Sequence, residues 1–115
     1  MDKREATIIA KRYIDLVRKK YPLKKALLFG SYAKETNHPD SDIDIALIFE
    51  HVDDIIDMQI ELMYLRNDDD LLIEPHPFAE SDFNFSNPQA SEILKNGIEL
   101  ASYLLPLDKS SLTTV

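Results

Sequence analysis

Ten residues separate the Gly30-Ser31 pair from Asp42, and Asp44 follows with one residue between. This spacing restricts the chain because each half asks for a definite local geometry. Ala26-Leu27-Leu28-Phe29, just before the pair, is a continuous apolar run of the kind a buried strand needs. A Gly-Ser turn at its end lets the backbone approach a phosphate closely, because glycine has no Cβ and serine offers both an amide and a hydroxyl. Beyond the loop, Asp42, Asp44 and Ala46 alternate with Ile43, Ile45 and Leu47 as far as Phe49. A second strand therefore carries both carboxylates on one face and isoleucines on the other. Two carboxylates on one edge can hold Mg²⁺. Four such fixed positions coincide by accident on the order of once in 10⁵ starts, so in a chain this short the pattern carries information.

The remaining segments supply a small mixed architecture around that motif. Asp2 with Glu5 reads as a capping box, and Ala6, Ile9, Ala10, Tyr13, Leu16 and Val17 recur at helical spacing, which predicts a helix over 3–20 whose late Arg18, Lys19 and Lys20 suit its negative end. Residues 25–29 form the first strand, a short helix starts after Ser31, and the second strand follows from Asp42. A second helix is expected from Asp53 or Asp54 to about Leu65, those aspartates serving as caps. Asn67-Asp68-Asp69-Asp70 reads as a turn, and Leu71–Glu74 as a third strand halted by Pro75, with Pro75-His76-Pro77-Phe78 extended. Residues 79–87 read as a loop anchored to the core by Phe83 and Phe85. Asn87 caps a last helix that opens on Pro88 and closes at Asn96-Gly97; Ile98–Leu105 is a short strand or a second apolar segment. The two glycines fall at the phosphate turn and at this helix end. One domain over 1–105 and a polar tail over 106–115 follow.

Charge narrows the partners. With 21 acidic residues against 13 basic the net charge is −8, which opposes binding of a nucleic acid through its phosphates. No apolar run reaches the length of a membrane helix, and the charged start Met1-Asp2-Lys3-Arg4-Glu5 and the absence of cysteine point to the cytoplasm. Of the histidines, His51 reads as a surface residue, His38 could face a nucleotide from its loop, and His76 is fixed between two prolines beside Glu74.

In order and spacing, Gly30-Ser31 and Asp42-x-Asp44 resemble the signature of the DNA polymerase β-type nucleotidyltransferase superfamily, and in particular its minimal nucleotidyltransferases. The resemblance implies an α/β (α+β) nucleotidyltransferase fold, a small mixed sheet with helices packed on one side, and transfer of AMP from ATP with two Mg²⁺ ions. On that reading Asp42, Asp44 and Glu74 are the catalytic, metal-binding carboxylates, Glu74 standing where the family places its third acid. Asp70 competes with Glu74 for the role. Gly30, Ser31 and Lys34 would meet the nucleotide phosphates, although Glu35 stands where a glycine commonly follows. A chain of this size has no second domain to wall off an acceptor, so a second copy or a separate protein would complete the site. The minimal group points to a helical partner, a HEPN-type ribonuclease toxin neutralised by its antitoxin. A small-molecule acceptor such as an aminoglycoside, or inhibition by binding alone, are the other readings.

Overall fold

In the computed structural model, which describes residues 1–103, Asp2 caps helix α1 (Lys3–Lys20) by accepting the Glu5 N–H at 2.9 Å. Ala6, Ala10, Tyr13, Ile14 and Val17 form its buried stripe. Strand β1 (Leu23–Phe29) runs into Gly30 and the one-turn helix α2 (Ser31–Lys34). Strand β2 (Ile43–Phe49) is followed by helix α3 (Ile55–Tyr64), which Asp54 caps by accepting from the amides of Ile56 and Asp57. After a 3₁₀ turn at Asp68–Asp70 comes strand β3 (Ile73–Ala79), then a second 3₁₀ turn at Glu80–Asp82. Helix α4 (Pro88–Asn96) is capped by Asn87, and strand β4 (Ile98–Ser102) ends the described chain. Residues 104–115, with the predicted polar tail and the end of the last apolar segment, lie outside the described residues.

The strands form one mixed sheet in the order β3-β2-β1-β4, with β1 antiparallel to β2 and β4, and β2 parallel to β3. Both faces are covered. Leu28, Ile43, Ile45, Leu47, Phe49 and Ile73 pack with the α1 stripe and Leu62 of α3, whereas Leu27, Ala46, Ile48 and Phe78 pack under Ala90 and Ile93 of α4. The expectation that helices sit on one side of the sheet is therefore corrected. β1 and β2 are apolar at successive positions, so each face needs its own helical cover.

A second correction concerns β3, which begins at Ile73 and runs through both prolines to Ala79 instead of stopping at Pro75. Residues of a parallel strand alternate between bonding their neighbour and facing away. The carbonyls of Ile73 and Pro75 are taken by Arg66 Nη1 at 3.0 Å and Gln59 Nε2 at 3.1 Å, so the odd-numbered residues face outward. Pro75 and Pro77 thus occupy positions on an edge strand where no N–H is required, and they block pairing with a further strand. Phe83 packs edge-on against Phe78 at 5.2 Å, as expected of an anchor, but Phe85 is 67% exposed and anchors nothing. Gly97 has an extended backbone, so it is held by space instead: a Cβ there would lie 2.5 Å from the Ile93 carbonyl.

Candidate nucleotide and metal site

Strand register assembles the site. Phe29 pairs with Asp44, Asp44 with Glu74, and Ala46 with His76, so Phe29, Asp44, Glu74 and His76 share one face at the end of β1 and the starts of β2 and β3. Asp44, Glu74 and His76 each present one donor atom, all within 4.8 Å of one another. His76 Nε2 lies 3.1 Å from Asp44 Oδ1 and 3.8 Å from Glu74 Oε1. The ring is held on its other sides by Phe29, edge-on at 4.9 Å, and by the Gln89 amide, 3.4 Å from Nδ1. With Gln89 donating to Nδ1, Nε2 carries the proton and donates to Asp44. Gln89 comes from the first turn of α4, so the helix on this face of the sheet also orients the site histidine.

Gly30 sits directly against Asp44. Its φ of +74° is one that side-chain-bearing residues rarely adopt, and a Cβ built there would overlap Oδ2 of Asp44. The glycine is thus required twice, by the turn and by the carboxylate behind it. The first amides of α2, starting at Ser31, have no helical acceptor. Asp42 precedes β2 and is exposed; it adjoins Glu74, and Ile43 beside it donates to the Leu72 carbonyl at 2.7 Å. Glu74 is pushed above the usual carboxylate range, first by partial burial, then by the charge of Asp44, with Asp42 adding and His76 opposing. Crowded carboxylates of this kind suit a divalent cation, whose charge relieves their repulsion.

The other predicted residues fall as follows. Lys34 is turned to α4, where it pairs with Glu92 at 2.7 Å; together with Asn96 at 3.0 Å it holds Glu92 below the usual carboxylate range. Asp70, the competitor to Glu74, is fully buried, paired with Arg12 at 3.0 Å, and accepts the Asn67 N–H. Its carboxylate staples the turn to α1. His38 is exposed and its amide bonds Ser41, and His51 is exposed beside Asp53 at 2.6 Å. Glu35 occupies the left-handed region with φ +59°, which explains why glycine suits that position. Gln89 and Glu92 gave no signal in the sequence, because their places depend on how α4 crosses the sheet.

A mixed sheet with a glycine-serine turn on one strand and clustered acids on its neighbours is the arrangement of a nucleotidyl-transferring domain. The chain belongs to the family described as polymerase beta, nucleotidyltransferase, whose model matches residues 11–104. Among solved structures, it is similar to a protein from Sulfolobus solfataricus assigned as a candidate nucleotidyltransferase, with 18% identity over 89% of this chain and 88% of the other, at a TM-score of 0.66. It is also similar to a chain of a toxin–antitoxin structure with AMP-PNP, with 22% identity over 82% of this chain and 73% of the other, at a TM-score of 0.57. A complex of tri-AMPylated Shewanella oneidensis HEPN toxin with MNT antitoxin matches at 20% identity over 85% and 73%, at a TM-score of 0.55. No curated protein matches the chain significantly. Among the described residues, no helix is long and apolar enough to cross a membrane.

Proposed function

We propose that the chain transfers AMP from ATP to a hydroxyl of a partner protein in a Mg²⁺-dependent reaction, as the antitoxin of a HEPN-type toxin. The observation that carries the reading is the crowding of Asp44 and Glu74 around His76, with Asp42 alongside and Gly30 packed on Asp44. Asp42, Asp44 and Glu74 would hold the metal; two Mg²⁺ ions there would neutralise the triphosphate and the attacking and leaving oxygens. Gly30 and Ser31 let the phosphates approach the turn. His76 fixes Asp44 through Oδ1, leaving its second oxygen for the ligand. Glu74, half-exposed at the start of β3, is suited to receive a proton from the acceptor hydroxyl. That oxygen attacks the α-phosphorus and the bond to pyrophosphate breaks. Lys34 reaches a phosphate only by leaving Glu92.

The protein acceptor is supported by fold likeness to chains of toxin–antitoxin complexes, one with an AMPylated toxin, and by the exposure of Asp42 and Glu74 at an open edge. A net charge of −8 suits a basic partner. Incubation with the co-expressed HEPN-type protein and ATP labelled at the α-phosphate should place label on that protein, and Asp44→Asn should abolish it. Label on a small molecule would assign another acceptor, and a bound but unlabelled partner would assign inhibition by binding.

A further inference from the structure

Helix α3 is apolar on more sides than its packing uses. Leu62, Met58 and Leu65 turn to the core, and Gln59 turns to β3, where it bonds the Pro75 carbonyl. The adjoining face carries Ile56, Ile60, Met63 and Tyr64 at helical intervals, and all four are exposed, Ile56 at 67% and Tyr64 at 84%. Arg66 continues the face by bonding the Leu71 and Ile73 carbonyls, which brings exposed Leu71 and Leu72 beside it. A hollow of about 250 Å³ lies among Ile60, Met63, Tyr64 and Arg66. Single exposed apolar side chains are ordinary, whereas a contiguous patch with a hollow marks a contact surface.

We infer that this patch is the face on which the partner protein docks, through an apolar surface bordered by basic residues; the inference rests on the transfer reading above. Two observations select that occupant. The first is charge. Asp57 and Glu61 flank the patch on α3, Asp68 and Asp69 flank it before Leu71, all are exposed, and Arg66 is committed to carbonyls. A second copy docking by two-fold symmetry would set these acidic borders against each other, while a basic border relieves them. The second is position. Leu72 stands two residues before Glu74, and Gln59 ties α3 to the strand that carries Glu74 and His76. Because α3 packs on the sheet face opposite α4 and the carboxylates, a partner seated here brings a hydroxyl to Glu74 round the start of the β3 edge strand.

The test uses the full chain and the HEPN-type protein co-expressed with it, with affinity measured by calorimetry. Ile60→Glu/Met63→Glu should weaken the complex by at least about 30-fold, the scale of losing a central apolar contact. Tyr64→Ala should weaken it in the same direction, and neither variant should change affinity for Mg²⁺-ATP, since these side chains are exposed and lie away from Gly30 and Asp44. Asp57→Lys/Glu61→Lys should also weaken the complex and flatten its loss with salt, because an attraction that salt screens is replaced by a repulsion. If wild type binds the partner and the patch variants bind it equally, the docking face is overturned and the transfer reading stands. If wild type forms no complex, the docking face is overturned, and the transfer reading stands or falls separately on whether label reaches the partner. A dimer of the isolated chain that the same variants dissolve would give the face to a second copy and overturn the proposal.

Discussion

Replacing Gly30 by alanine tests how the phosphate turn and the carboxylate site are built together. Two costs are separable. The backbone at φ +74°, ψ −152° lies in a region nearly reserved for glycine, so any side chain there costs about 1–3 kcal/mol. The new Cβ also overlaps Oδ2 of Asp44, and the carboxylate must rotate away, giving up its bond to His76, for about 1 kcal/mol more. Gly30→Ala should therefore destabilise the protein by about 2–4 kcal/mol, a shift of roughly 1–2 M in the urea midpoint at the slopes usual for a small domain. In an Asp44→Ala background only the backbone cost remains. The double-mutant cycle over wild type, the two single variants and the double variant should give a coupling of about 1 kcal/mol, with Gly30→Ala cheaper when Asp44 is absent. A cycle that closes to zero would refute the account, because the glycine would then serve the turn alone.

Three further outcomes follow from the same geometry. Glu74→Gln should lower transfer by about 10²-fold or more while stabilising the metal-free protein near neutral pH by a few tenths of a kcal/mol, the small scale left after solvent screening of a half-exposed side chain. The sign follows from the raised carboxyl: the increment Glu74 contributes is present below its unfolded pKa and is lost as pH rises through the folded value, so urea midpoints of the two proteins should separate across that window. Glu35→Gly should stabilise the fold by about 1 kcal/mol in thermal melts, because Glu35 holds a left-handed conformation. Asp70→Asn should cost about 1–2 kcal/mol by weakening the Arg12 pair and the Asn67 cap, yet leave transfer near wild type when labelled ATP is used.

The local elements were legible wherever a cap or a period spoke for itself. Asp2, Asp54 and Asn87 each cap the helix expected of them, and the alternation after Asp42 gives β2. Where the reading failed, the deciding fact was tertiary. Pro75 looks like a strand stop until β3 is known to be an edge strand with its odd-numbered residues facing out. Phe85 has the composition of an anchor, but only Phe83 reaches Phe78. Around the candidate site, Gly30 and Asp44 could be picked out by type and spacing, while Glu74 came only from the family resemblance, with Asp70 as its competitor. That Gly30 rests on Asp44, that Gln89 steers His76 and that Lys34 is drawn to Glu92 depend on register and on the crossing of α4, which no local pattern encodes.

The central claim is that clustered carboxylates beside a glycine turn move AMP onto a protein hydroxyl. The most direct measurement is the intact mass of the HEPN-type partner after co-expression with wild type or with Asp42→Ala/Asp44→Ala. The account predicts a partner heavier by one or more AMP units with wild type, on a hydroxyl side chain, and an unmodified partner with the variant. A partner of unchanged mass that both proteins bind and silence equally would contradict it.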